Sequence, residues 1–136
     1  MNLIYIILFF LLFASWEKPK KLEDFRWENR VVLYFPKDKV ESLLVADNLQ
    51  EALAERKIVY IIFNDPLLSN AEMEFSENYQ EQLKMKYQIS AGKSKWVLIG
   101  LDGMAKLNQE GDLNWDLIFK TIDSMPMRQS EIRRKK

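Results

Sequence analysis

Residues 31–35 read Val-Val-Leu-Tyr-Phe, an apolar run without a charge that ends at Pro36. A run this short, rich in β-branched and aromatic residues, is typical of a strand buried on both faces, as in a parallel sheet. Because proline cannot donate a hydrogen bond to a sheet ladder, Pro36 predicts the end of the strand. Asp38 is placed to cap a helix through about Lys57, whose apolar residues recur at three- and four-residue spacing on one face.

Two further apolar runs, residues 58–63 and 96–100, predict two more strands. The first follows the helix, and a strand, a helix and a strand in this order imply a right-handed crossover and parallel pairing. The second precedes Asp102-Gly103, a strong tight-turn signal, and an antiparallel strand predicted over 104–107. The remaining predicted elements are a connector of uncertain shape over 67–74, a helix over 75–87, a turn over 109–112 and a helix capped by Asn114 that stops before Pro126.

The order of elements is therefore β-α-β, then α, then a β-β hairpin and a terminal helix. This order predicts an α/β fold of the thioredoxin-like type, with a mixed central sheet flanked by helices. The predicted division of the chain is a signal peptide or N-terminal hydrophobic anchor over 1–15, the thioredoxin-like domain over 16–127 and a charged C-terminal tail over 128–136 that frays.

The N-terminal segment predicts export. Leucine, isoleucine, phenylalanine and tyrosine fill residues 3–13 almost without a break, and Ala14 and Ser15 follow. A dozen apolar residues fall short of the roughly 20 that span a membrane, and at an N-terminus they are typical of a secretory signal. Because lysines follow this run and none precedes it, an uncleaved anchor over residues 3–16 or a buried strand are the alternatives. We expect a periplasmic or secreted protein, in contact with a membrane only through an uncleaved N-terminus.

Composition excludes several activities. The chain contains no cysteine, so it has no disulfide, no thiolate nucleophile and no thiolate metal site. It contains no histidine, the usual general base near neutral pH and the commonest metal ligand. The formal net charge is zero, which gives no overall field toward nucleic acid. We therefore predict no cofactor, no metal and no nucleic-acid partner, and the composition argues against redox or peroxidase activity.

Three motifs carry a resemblance: Leu-Glu-Asp-Phe-Arg-Trp-Glu-Asn-Arg over 22–30, Val-Leu-Ile-Gly-Leu-Asp-Gly over 97–103 with Lys106, and residues 117–127 with Ile-Asp-Ser-Met-Pro-Met and then Arg128. On these motifs the chain resembles the family numbered 4174 among domains of unknown function. That family is similar to thioredoxin-like and peroxiredoxin-like folds, and it occurs in short exported bacterial proteins and in vertebrate extracellular matrix and sushi-repeat proteins. The resemblance implies an extracytoplasmic location and no established enzyme activity. Leu101 and Gln129 depart from the pattern, where a lysine and an arginine are expected, which weakens any role for a basic cluster there.

The corner after the first strand is one candidate site. Lys37 and Asp38 stand where a thioredoxin-like enzyme carries its redox dithiol, and neither side chain can perform thiol chemistry. The loop before Trp96 also lacks the proline that such enzymes place in cis facing the dithiol. What the corner offers is a helix N-terminus able to hold an anion, and the alternative is that Asp38 only caps its own helix.

Arginines before the first strand form a second candidate. Arg26 or Arg30 could act as a fork for a carboxylate or phosphate. The alternative packs Trp27 on the sheet edge and pairs the two arginines within the domain, with Asp24, Glu28 or Asp123 as partners.

Asp102 and Lys106 are interpreted first as parts of a hairpin turn. Residues 125–127, Met-Pro-Met, and Arg128 are interpreted as a helix stop or an adaptable contact surface.

Together these residues define the predicted interaction surface: Arg26, Arg30, Lys37, Asp38, Asp102, Lys106 and Arg128. The favoured function is a noncatalytic interaction module that binds a protein or a polymer outside the cytoplasm. The alternative is a hydrolase-type or other enzyme that uses Asp, Glu, Lys or Tyr groups in a surface cleft. A carboxylate with a strongly raised pKa in a deep pocket would favour the enzyme.

Overall fold

A computed structural model describes residues 17–40, 47–88 and 92–135 of the chain. Its centre is a five-stranded sheet in the order β3-β2-β1-β4-β5. The strands are β1 (Arg30–Phe35), β2 (Ile58–Ile62), β3 (Leu68–Ser69), β4 (Lys95–Ile99) and β5 (Ala105–Glu110). β1 pairs parallel with β2 and antiparallel with β4, and the remaining pairs are antiparallel. The predicted α/β fold with a mixed central sheet is therefore confirmed.

Helices cover both faces of this sheet. They are a 3-10 helix (Leu22–Phe25), α1 (Asp47–Glu55), α2 (Glu77–Tyr87), α3 (Trp115–Asp123) and α4 (Pro126–Lys135). Odd-numbered residues of β1 pack with Phe25 of the 3-10 helix and Leu83 of α2. Even-numbered residues of β1 pack with Leu53 of α1 and Ile118 of α3. Because β1, β2 and β4 are buried on both faces, their sequences are continuous rather than alternating apolar runs.

Two helix starts follow from side-chain caps. Ser76 accepts a hydrogen bond from the backbone N–H of Tyr79 at 3.1 Å and begins α2. Asn114 accepts one from the backbone N–H of Leu117 at 3.0 Å and begins α3, as predicted. Such a cap satisfies one of the backbone donors that a helix leaves unpaired in its first turn.

Several expected elements differ in the structure. Lys39 and Val40 are not helical, so Asp38 does not cap a helix that starts directly after it; residues 41–46 of the predicted helix lie outside the described residues. The predicted connector over 67–74 contains β3, which pairs with β2. The predicted turn over 109–112 is wrong at its start, because β5 continues through Glu110.

The C-terminal segment and Trp27 also differ from expectation. Residues 128–135 belong to α4 rather than to a frayed tail, and Arg128 is 2% exposed. Trp27 does not pack on the sheet edge, since 58% of its surface is exposed. Its backbone has a φ of +68° and its N–H donates to the carbonyl of Leu101 at 2.6 Å. The backbone therefore fixes this residue while the indole stays in solvent.

The predicted signal or anchor lies outside the described residues. Among the helices of the described segments, none combines the length and the apolar character that crossing a membrane requires.

Candidate functional site

The end of the sheet where β1 begins and β4 finishes carries two groups of charged side chains, one on each face. The first group, which we call the arginine cluster, lies on the face covered by α1 and α3. Its members are Arg30, Arg56, Arg128, Glu55, Asp123 and Glu131. Arg30 is the first residue of β1 and shares a face with Val32 and Tyr34, because side chains alternate along a strand. The ends of α1 and α3 and the first six residues of α4 supply the others.

Arg128 connects the most partners in the arginine cluster. Its Nε donates to Oδ1 of Asp123 at 3.1 Å, and its Nη2 donates to Oε1 of Glu55 at 3.0 Å. Its Nη1 lies 3.4 Å from Oε2 of Glu131 and 3.3 Å from the backbone carbonyl of Glu55. The guanidinium thus joins α1, the end of α3 and α4 through a single buried side chain.

Arg56 and Arg30 complete the arginine cluster. Arg56 binds Asp123 through two parallel hydrogen bonds, from Nε to Oδ1 at 3.0 Å and from Nη2 to Oδ2 at 2.8 Å. Its guanidinium carbon lies 4.5 Å from the ring centroid of Phe119, within cation–π range. Arg30 is 1% exposed and donates through Nη1 to the carbonyl of Arg56 at 2.9 Å and to Glu131 at 3.4 Å. Its Nε has no hydrogen-bond partner among the described residues.

Two members of the arginine cluster, Asp123 and Arg128, have pKa values shifted in favour of their charged forms. Burial alone would raise the pKa of Asp123, but hydrogen bonds from Arg56 and Arg128 outweigh it and hold the pKa below its ordinary value. Burial would likewise lower the pKa of Arg128, and its bonds to Asp123, Glu55 and Glu131 raise it instead. Three guanidinium groups face three carboxylates, so the arginine cluster fastens helices to the sheet.

Sequence reasoning found only part of the arginine cluster. Arg30 pairs with Glu131, so the predicted partners Asp24, Glu28 and Asp123 are wrong for it. Because Arg30 and Arg128 are buried, neither can belong to an exposed interaction surface. Glu55, Arg56 and Glu131 were not singled out. The sequence signal was weak: Glu131 lies three residues after Arg128, a spacing that places two side chains together on a helix.

The second group lies on the other face and lines a cleft of about 490 Å³ between the 3-10 helix, α2 and the β4–β5 turn, which we call the Arg26 cleft. At its edge Lys106 Nζ donates to Oδ2 of Asp102 at 2.7 Å, and the N–H of Met104 donates to Oδ1 at 3.0 Å. The hydrogen bond from Lys106, and to a smaller extent that from Met104, lowers the pKa of Asp102. Gly103 occupies this turn with a φ of +81°, a conformation that favours glycine.

Cations flank an apolar floor in the Arg26 cleft, and the acidic residue Glu23 also lines it. Arg26 is exposed, with its guanidinium carbon 5.3 Å from the ring centroid of Trp27, and Lys86 Nζ lies 5.2 Å from the ring centroid of Tyr87. Among the described residues, neither Arg26 nor Lys86 forms a salt bridge. The floor is formed by Leu22, Tyr79, Leu83, Tyr87 and Ile99. Burial raises the pKa of Tyr79, whose hydroxyl accepts the backbone N–H of Leu22 at 2.8 Å.

The corner after β1 lies at the opposite end of the sheet. Lys37 and Asp38 are exposed there, and the backbone N–H of Lys37 donates to Oγ of Ser94 at 2.8 Å. The seven predicted residues therefore fall into three places: Arg30 and Arg128 in the arginine cluster, Arg26, Asp102 and Lys106 at the Arg26 cleft, and Lys37 and Asp38 at the corner. Within residues 17–40, 47–88 and 92–135, no three acidic, histidine or cysteine side chains are grouped as metal ligands.

Residues 21–131 match the family described as "Domain of unknown function (DUF4174)". The chain belongs to this family. The matched span of this DUF4174 protein contains both the arginine cluster and the Arg26 cleft. Comparison with curated proteins gives no match.

Among solved structures, the chain is similar to the crystal structure of a reduced 2-Cys peroxiredoxin from Plasmodium vivax. The similarity covers 80% of this chain and 84% of the other, with a TM-score of 0.53 and 14% identity. At this identity the similarity shows the fold, and it confirms the thioredoxin-like prediction for this DUF4174 protein. The chain has no cysteine with which to carry thiol chemistry on that fold.

Proposed function

We propose that this DUF4174 protein is an exported, noncatalytic interaction module that binds a carboxylate-rich protein segment outside the cytoplasm through the Arg26 cleft. The observation that carries the proposal is the pair of exposed cations, Arg26 and Lys86, beside an aromatic and aliphatic floor. A partner that alternates acidic and apolar side chains complements both features, because carboxylates pair with the cations while apolar groups lose contact with water.

The contrast with the arginine cluster supports this choice of surface. There the arginines are paired with carboxylates of the chain itself, and Arg128 alone contacts Glu55, Asp123 and Glu131. At the Arg26 cleft, Asp102 is paired with Lys106, and among the described residues neither Arg26 nor Lys86 forms a salt bridge, although Glu23 also lines the cleft. A partner's carboxylates could therefore bind without displacing an internal pair.

Carboxyl electrostatics favour binding over acid–base catalysis. A catalytic acid near neutral pH needs a carboxyl pKa raised by burial or by a neighbouring negative charge. The pKa values of Asp102 and Asp123 are both lowered by hydrogen bonds from cations. Tyr79 in the floor has a raised pKa, which keeps its phenol protonated and suits hydrogen bonding.

Fluorescence anisotropy with two labelled peptides tests the binding proposal. One 12-residue peptide alternates glutamate with leucine or tyrosine, and the other replaces each glutamate with lysine. The full chain should bind the acidic peptide saturably, and the double variant Arg26→Glu, Lys86→Glu should weaken binding by about tenfold or more, since each charged contact contributes about 1 kcal/mol. Lys120→Glu reverses an exposed charge on α3 and should change the affinity by less than about twofold.

Three results would reject this proposal: no saturable binding, equal affinity for the two peptides, or equal losses in the cleft and α3 variants. Tighter binding of an acidic polysaccharide than of the acidic peptide would reassign the cleft to a polymer.

Export is tested separately by fusing residues 1–21 to a reporter enzyme that is active only outside the cytoplasm. Activity should appear with the intact segment and disappear when residues 3–13 are deleted, and an inactive intact fusion would contradict export.

A further inference from the structure

β5 is an edge strand, and its outer side is open. It pairs with β4 on one side, and no described element pairs with it on the other. All of its residues are exposed except Leu107, which packs into the core beside Leu98. An open edge presents unpaired backbone donors and acceptors, which form a template for another strand.

The hydrogen-bond phase of β5 identifies the groups that face outward. The N–H of Gly111 donates to the carbonyl of Ser94 at 2.8 Å, next to the register pair of Lys95 and Glu110. In an antiparallel ladder this places Lys95 and Glu110 in a non-hydrogen-bonded pair, so Glu110 directs its N–H and C=O away from β4. The alternation repeats every second residue, so Asn108 also directs both groups to the open edge.

Charge along β5 selects a register with a second copy. An antiparallel, two-fold symmetric pairing about Asn108 places Asn108 opposite itself and Lys106 of one copy opposite Glu110 of the other. Opposite charges at such cross-strand positions stabilise pairing, and like charges destabilise it. Centring the symmetry on Leu107 or Gln109 creates no such opposite-charge pair within β5.

We propose that two copies of this chain associate through β5, antiparallel and two-fold symmetric about Asn108, and so join their sheets edge to edge. The interface is isologous, because the same strand contributes identically from both copies. Asn108 exchanges two backbone hydrogen bonds with its counterpart. Within each chain Lys106 contacts Asp102 at 2.7 Å and Glu110 contacts Lys93 at 3.6 Å, and because these side chains are partly exposed, the two Lys106–Glu110 contacts between copies share those charges and fix the register. The bulge near Lys106, where the register shifts beside Leu98 and Ile99, limits the ladder to a short segment. The interface is therefore small, and the dimer dissociates on dilution.

Single-cysteine cross-linking tests the register directly, because the chain has no cysteine of its own. In this pairing the two copies of residue 108 have their Cα atoms about 5.5 Å apart, within reach of a disulfide. The copies of residue 109 are offset along the strand to about 8 Å, beyond that reach. Under mild oxidation the full-length Asn108→Cys variant should form a covalent dimer at least about fivefold faster than Gln109→Cys, a difference set by that geometry.

Charge reversal in the Asn108→Cys background provides the second test. Lys106→Glu and Glu110→Lys should each slow cross-linking by about fivefold, since each creates two like-charge pairs across the interface. The double reversal should restore the rate to within about twofold. The glutamate that Lys106→Glu introduces repels Asp102 of its own chain, and the lysine that Glu110→Lys introduces repels Lys93 of its own chain, equally in the single and double variants. Rescue therefore reports pairing between copies.

Three results would overturn this dimer: equal cross-linking at residues 108 and 109, additive losses in the double reversal, or covalent capture of a foreign protein in place of the homodimer. If the copies instead associated through the apolar N-terminus, cross-linking would be equal at residues 108 and 109. Arg26→Glu with Lys86→Glu leaves the strand edge untouched and should not change the cross-linking rate. The dimer and the binding function of the Arg26 cleft can therefore fail independently.

Discussion

The arginine cluster and the Arg26 cleft lie at the same end of one sheet, on opposite faces, and treat the same kind of charge differently. Arg128 in the arginine cluster is 2% exposed and contacts three carboxylates. Arg26 is exposed and forms no salt bridge among the described residues. The surroundings of an arginine, rather than its position near a strand end, therefore decide whether its charge stabilises the fold or is available to a partner.

Coverage of the two faces explains the difference. On one face α4 folds back after Asp123 and brings Arg128 and Glu131 over the start of β1. On the other face the 3-10 helix and α2 leave an open gap beside Gly103, with Arg26 at its edge. A buried ion pair that loses one partner leaves an uncompensated charge, whereas an exposed cation stays hydrated.

The largest expected effect comes from Arg128→Met. Removing this guanidinium leaves Glu55 and part of Asp123 and Glu131 without a cation, and we expect a loss of about 3 kcal/mol in the free energy of unfolding. Arg26→Met is the matched control and should change it by less than about 0.5 kcal/mol. Urea denaturation followed by circular dichroism measures both. Equal losses in the two variants would remove the distinction between the faces.

The dependence of stability on pH should be the next largest difference between the arginine cluster and the Arg26 cleft. The pKa of Asp123 is lowered in the folded protein, so its pairs with Arg56 and Arg128 stabilise the fold above the ordinary carboxyl pKa of about 4 and lose that contribution as the pH falls through the folded-state value. Because 36% of the Asp123 side chain is exposed, solvent screens these pairs in part, and Asp123→Asn should cost only about 1.5 kcal/mol at pH 7 and flatten the loss of stability below about pH 4. The exposed Asp116→Asn should leave the acid profile unchanged, and an unchanged profile in Asp123→Asn would contradict this pairing.

The sequence predicts the sheet better than it predicts either charged group. The runs at 31–35, 58–63 and 96–100 are strands because central strands of a sheet with two covered faces need apolar side chains on both sides. The arginine cluster depends on where α1 ends and on the return of α4 after Pro126. Pro126 predicts the end of α3, as observed, but a proline also suits the first turn of a following helix, and local pattern alone does not distinguish the two.

The misplacement of Trp27 has a related cause. An aromatic residue before a buried strand favours packing on the core, and Phe25 two residues earlier follows that expectation. The positive φ of Trp27 turns the chain at this point, and the indole stands beside Arg26 instead. Positive φ at a tryptophan is rare and carries no sequence signal, so the exposed indole beside Arg26 could not be predicted from the sequence.

A smaller effect is expected at Gly103, in the turn that borders the Arg26 cleft. An added Cβ would lie 3.5 Å from Cδ of Arg26, an ordinary contact, so the cost of Gly103→Ala comes from the φ of +81°. We expect a loss of about 1 kcal/mol in the free energy of unfolding. Gly103→Asn should lose less, since asparagine tolerates this conformation better than alanine does. A larger loss in the asparagine variant would show that side-chain size, rather than backbone conformation, limits this turn.

The smallest expected effect is that of Lys106→Met, which breaks the ion pair at the Arg26 cleft. The Lys106 and Asp102 side chains are 35% and 28% exposed, so water screens their attraction, and the free energy of unfolding should fall by only about 0.5 kcal/mol. The substitution should nevertheless move the pKa of Asp102 up toward its ordinary value, because the hydrogen bond from Lys106 is the largest cause of its lowering. Carboxyl titration by NMR and urea denaturation at low protein concentration measure the two quantities separately. A raised pKa with nearly unchanged stability would show that this pair sets the charge of the cleft without holding the fold, whereas a stability loss comparable to that of Arg128→Met would mean that both faces are fastened by their charges.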